Sequence, residues 1–169
     1  MAEEGEREDG ITGMRQGLAA LRATGAGLRQ PYYLALLAEA CGKAGRVEEG
    51  LILLAEALAV VRKTGELWWE AELHRLKGEL LLQQAVGTHG RETLRVEAET
   101  CLRSALDVAR RQQAKSLELR AATSLSRLWQ RQGKQKGARQ LLAPIYGCFT
   151  GGFDTTDPRE AQALLESLA

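Results

Sequence analysis

The chain repeats itself, and few features restrict a fold more tightly. Met14, Leu54, Leu102 and Leu142 fall into one register, with offsets of 40, 48 and 40 residues. Gly17, Ala57, Ala105 and Ile145 sit one helical step further on, and Leu18, Leu58 and Leu106 follow them. A period of about 40 residues reads as stacked supersecondary units, none of which can bury its apolar face alone. Such a stack is more often a surface that holds other molecules than a container for chemistry.

Inside each unit the apolar residues recur at helical spacing, and no segment alternates as a strand would. Ala, Leu, Glu, Arg and Gln dominate, which is a helix-forming set. Helices are expected over 11–24, 31–44, 47–63, 67–85, 92–112, 117–132, 135–148 and 158–168, about eight in all. Glycines at 25, 42, 45, 65 and 133 mark their ends. Asp157 is placed to cap the last helix and Pro158 to begin it. Turns this short make consecutive helices antiparallel neighbours. Residues 1–10, with five acids and one arginine before Gly10, are expected to form a disordered acidic tail. Residues 11–169 then make one domain. It comprises a leading half-unit (11–24), three helix pairs (31–64, 67–112 and 115–148) and a capping helix (158–168).

The small and large residues keep fixed places within the pairs. The first pair has Leu34, Leu37, Ala38 and Cys41, then Gly50, Leu54 and Ala57. The second has Gly78 and Leu81, then Ala98, Leu102 and Ala105, with Lys77 in the usual leucine place. The third has Ala122, Leu125, Ser126 and Trp129, then Ala138, Leu142 and Ile145. This pattern resembles the tetratricopeptide (TPR) repeat, in which two helices pack through small residues framed by large ones. The resemblance implies an all-α, TPR-like solenoid of antiparallel helix pairs wound into a right-handed superhelix. The family unit has about 34 residues, so the longer period implies longer helices and a looser superhelix. Cys41 stands where the family prefers tyrosine, and no proline follows the second helix in the usual place. A HEAT-type repeat is the alternative, its period being near 40 as well. The runs at 31–40, 68–82, 141–146 and 152–155 are similar to the C-terminal helical-repeat region of large bacterial signalling ATPases and transcriptional regulators. That likeness implies a regulatory interaction module.

The residues that carry chemistry are sparse. His74 lies on a helix and His89 in a glycine loop, neither at a metal-ligand spacing. Gly42-Lys43-Ala44-Gly45 lacks the frame of a phosphate-binding loop and is a helix-helix turn. Cys41, Cys101 and Cys148 are expected to be buried, reduced and without a redox or metal role. A non-enzyme with no cofactor and no metal is therefore expected. No apolar run is long enough to span a bilayer, and the acidic start is unlike a signal peptide, so a cytoplasmic location is expected.

By the resemblance, the first helix of each pair lines a concave face that holds a peptide or helix of a partner. That face would carry Tyr32, Glu39 and Lys43, then Glu72, Arg75, Glu79 and Gln83, then Arg120, Thr123, Arg127, Gln130 and Arg131. The family's asparagine-rich carboxylate clamp is missing. Residues 110–140 hold nine basic residues and one acid, Glu118. A stripe of Arg120, Arg127 and Arg131 would suit an acidic peptide. A small-ligand sensor is the alternative, and nucleic-acid binding a weaker one, since the net charge is only +1. Of the Tyr32-Tyr33 and Trp68-Trp69 doublets, one member each is expected to pack inward and the other to be free for contact. The leading helix lacks a first half, so Ile11, Met14, Leu18 and Leu21 are expected to contact a second copy or another domain.

Overall fold

A computed structural model describes residues 2–25, 29–86, 90–149, 151 and 155–168. His89, much of the glycine loop around it and residues 152–154 lie outside that set. Eight α-helices follow one another among the described residues, with no strand. They are α1 (Ala2–Ala23), α2 (Gln30–Lys43), α3 (Val47–Thr64), α4 (Glu70–Gln84), α5 (Arg91–Arg111), α6 (Lys115–Arg131), α7 (Gln135–Tyr146) and α8 (Thr156–Ser167). The class is all-α. None of the helices is long and apolar enough to cross a membrane.

Helices α1 to α7 each pack chiefly on a neighbour in the chain, and α8 packs on both α6 and α7. In addition α2 touches α4, α4 touches α6, and α6 touches α8. The even-numbered helices therefore share one side of the molecule. Two large apolar clusters fill the space between them. One joins Ile11 and Leu18 of α1 to Leu34, Leu54, Leu73 and Leu80. The other joins Leu102, Leu119, Leu125 and Leu142 to Ala161 and Leu164 of α8 and to Leu168 just after it.

Small residues set how closely the helices approach. A Cβ on Gly50 would lie 2.7 Å from Leu80 Cδ1 and 3.0 Å from the Ala38 carbonyl oxygen. One on Gly78 would lie 2.8 Å from Leu102 Cγ and 3.1 Å from the Ala98 carbonyl. The register read from sequence thus marks the contact points between α2 and α3 and between α4 and α5. Gly65, at φ 72°, ends α3 in the left-handed conformation that glycine adopts without strain.

Several boundaries differ from the sequence reading. Residues 2–10 continue α1 instead of forming a disordered tail. Helix-forming residues run through this segment, acids favour a helix N-terminus, and Glu8 pairs with Arg46 at 2.8 Å. Trp68 and Trp69 lie in a single 3-10 turn, Leu67–Trp69, ahead of α4. Helix α8 starts at Thr156 with Thr155 at its N-cap. Asp157 and Pro158 are therefore in its first turn, and Asp157 does not cap it. Cys41 and Cys101 are buried, but Cys148 is exposed beyond the end of α7. Burial pushes the Cys41 and Cys101 thiols up, which keeps them protonated.

Candidate functional site

The shared side of α2, α4, α6 and α8 forms a polar trough. Its central cavity, about 380 Å³, is lined by Glu39, Lys43, Arg75, Glu79, Arg120, Thr123, Ser124, Arg127, Thr156, Asp157 and Glu160. Toward α2 it continues into a smaller hollow walled by Tyr32, Leu36, Trp69, Glu72 and Leu76. In the other direction it runs past Gln83, Leu128 and Arg131.

An arginine organises the floor. Arg75 is only 7% exposed. Its Nε and Nη2 donate to the two carboxylate oxygens of Glu72 at 2.9 and 2.7 Å. Its Nη1 reaches Glu79 Oε1 at 2.6 Å. These groups lie on one face of α4 because the spacings are i, i+3 and i, i+4. Burial alone would lower the Arg75 pKa, but hydrogen bonds and charge from Glu72, and then Glu79, reverse this and hold it above the ordinary arginine value. Ser124 Oγ donates to Glu79 Oε1 at 2.7 Å, which carries the network onto α6.

The basic stripe expected along α6 is not bare. Arg120 Nη1 meets Glu72 Oε1 at 2.9 Å, and its Nε lies 3.4 Å from Asp157 Oδ1 of α8. Arg127 Nη2 meets Glu160 Oε2 at 2.6 Å. Lys43 pairs with Glu39 at 2.8 Å. Four cations and four carboxylates therefore line the central cavity, in pairs. Arg131 is exposed at the far end of the trough. Gln130 Nε2 donates to Ser167 Oγ at 2.9 Å and helps dock α8. Gln83 Nε2 donates to the Gly42 carbonyl at 3.0 Å, satisfying a backbone acceptor at the end of α2. Thr123 is buried and returns its hydroxyl to the Leu119 carbonyl at 2.8 Å.

Tyr32 sits at the α2 end of the trough within an aromatic cluster. Its ring centroid lies 5.4 Å from Tyr33, 5.8 Å from Trp68 and 5.2 Å from Trp69. Trp69 and Tyr32 are half-buried, while Trp68 (45%) and Tyr33 (41%) are exposed. Trp68 Nε1 donates to Glu66 Oε1 at 2.8 Å.

The trough thus brings together most of the residues that the resemblance places on a concave face. Ser124, Thr156, Asp157 and Glu160 were missed. Their signal was present: Ala161, Leu164, Leu165 and Leu168 continue the register of Ala122, Leu125, Ser126 and Trp129 at an offset of 39. Helix α8 is therefore a further first-type helix, and its first turns complete the trough.

The contact expected from the leading helix is corrected in part. Ile11 is 1% and Leu18 7% exposed, because both pack into the chain's own core, though Leu18 keeps an edge on an open groove with Met14 and Leu21. Met14 (45% exposed) faces outward and Leu21 is half-buried. His74 is half-buried on α4, and burial pushes its imidazole pKa down, only partly opposed by Glu70. Among the described residues no group of three or more His, Cys, Asp and Glu side chains is placed to hold a metal ion.

No family model matches the chain. Over 114 residues it is 34% identical to the uncharacterized protein R02095 of Rhizobium meliloti (strain 1021). The match takes in 68% of this chain and 10% of that protein, so the chain spans about a tenth of the length of the curated relative it matches.

Proposed function

We propose that this chain is a TPR-like helical-repeat module that holds a peptide or helix of a partner protein in the trough of α2, α4, α6 and α8. The observation that carries the reading is the trough itself. It runs along one side of successive helix pairs and is lined by paired charges and hydroxyls. The contacts between alternate helices are those expected of stacked pairs. A place inside a larger protein accords with a relative of which this chain matches a tenth, and the regulatory role in bacterial signalling or transcription rests on the resemblance of the runs at 31–40 and 68–82.

The internal pairing of Arg120 and Arg127 refines the partner. A purely acidic peptide would have to displace Asp157 and Glu160, whereas a segment with both charges can exchange partners along the trough. The cavity has the volume of a small-molecule site, but its walls are mostly charged where such sites are mostly apolar, which favours a peptide. Paired cations also favour a protein partner over nucleic acid.

Selection of a random-peptide library on the full chain tests the proposal. Enriched peptides should lose about tenfold or more in affinity against Arg127→Glu and Glu79→Arg. They should bind unchanged to Ile52→Glu, which alters an exposed residue of α3 on another face. Peptides indifferent to the trough changes, or sensitive to Ile52→Glu, would contradict it.

A further inference from the structure

A second surface lies where α1 meets α2, adjoining the α2 end of the trough, with which it shares Leu36. Met14, Gly17, Leu18 and Leu21 form one wall of a groove of about 360 Å³, and Tyr33 and Leu36 form the other. Both walls consist of repeat positions whose counterparts in α3, α4, α5 and α6 are buried. Met14 is 45% exposed, while Leu54, Leu102 and Leu142 in the same register are all at 0%. A Cβ on Gly17 would meet nothing within 4 Å, whereas Ala57 and Ala105 are at 0% exposure. On the opposite wall, Tyr33 and Leu36 of α2 correspond to Leu73 and Leu76 of α4, one 40-residue step on. Those two are buried in the cluster that includes α2.

In the rest of the array such a pair of walls is closed by a first-type helix, as α2 closes the space beside α3 and α4. The groove continues that packing interface and lacks its occupant. A second copy of this chain has no such helix to lend. The matching faces of α2, α4, α6 and α8 are already spent on their own neighbours, with Leu34, Leu37, Leu125 and Ala161 at 2% exposure or less.

We propose that this groove docks an amphipathic helix of a partner protein, running antiparallel to α1 and completing its pair. The helix presents the face seen in α6: two large apolar residues flanking a small one, as at Leu125, Ser126 and Trp129. Its last turn is basic, as are those of α2, α3, α5 and α6.

The probe is a labelled peptide copying residues 115–131, held helical by a side-chain lactam on its polar face and titrated into the full chain by fluorescence anisotropy. Saturable binding with a Kd below about 100 μM is expected. Gly17→Arg should weaken it at least about tenfold with an undiminished melting temperature, since the site is open and arginine favours a helix over glycine. Thr12→Arg, on the opposite side of α1, should leave binding unchanged. Absent binding, or binding that ignores Gly17→Arg, would overturn the proposal. So would a dimer of the chain alone, seen by sedimentation, that Gly17→Arg dissolves, because the occupant would then be a second copy.

Discussion

Gly78 and Gly17 show how differently one residue type can serve two places in the same repeat. At Gly78 a methyl group would press on the branch carbon of Leu102 and on a backbone carbonyl, neither of which can turn aside. Gly78→Ala should therefore destabilise the fold by about 1–3 kcal/mol despite alanine's helix propensity. Gly17→Ala, with open space around it, should stabilise by about 0.5–1 kcal/mol. Urea unfolding of the two variants measures both signs. Glu99 carries a pH dependence of definite sign. Burial raises its pKa, but hydrogen bonds from Trp129 (3.0 Å) and Arg103 (2.8 Å), with charge from Lys134, lower it further than burial raises it. Its stabilisation is complete above the ordinary carboxylate value of 4.5 and is lost as pH falls through the lower folded value. Glu49 and Glu118 shift the same way, with the same sign. The melting temperature should fall steeply between about pH 5 and pH 3, and Glu99→Gln should flatten part of that fall.

At the scale of elements, the two classes of ion pair should behave differently. Arg75 is buried among Glu72, Glu79 and Ser124, so Arg75→Ala removes the two-pronged partner of the buried Glu72 and leaves it Arg120 alone. A loss of about 1.5–3 kcal/mol is expected by denaturant unfolding. The Arg127–Glu160 pair lies at 39% and 48% exposure, and Arg127→Ala should cost no more than about 1 kcal/mol. Helix α8 is thus held on α6 by Ala161, Leu164 and Leu168 more than by its charges. The existence and order of the helices were legible in the sequence, because apolar periodicity and glycine punctuation act locally. Their ends were less so. The extension of α1 depends on Arg46, which arrives from another element, and the short turn at Trp68 depends on packing against Tyr32. The trough residues on α2, α4 and α6 were legible through the repeat register. Their ion pairing was not, because Asp157 and Glu160 are distant in the chain and come close only when α8 docks.

At the scale of the whole molecule, the two ends differ. The α8 end closes with a polar outer surface, while the α1 end leaves Met14, Tyr33 and Leu36 exposed. Self-association through Ile11 is not expected, because it is enclosed in the core. Sedimentation at low micromolar concentration should report a monomer. The most direct measurement of the central claim, that the even-numbered helices form the partner-binding face, is an amide NMR titration of the full chain with a selected peptide. Shifts should concentrate at Glu39, Arg75, Glu79, Ser124 and Arg127. Shifts confined to α3, α5 and α7, with these five unmoved, would contradict it.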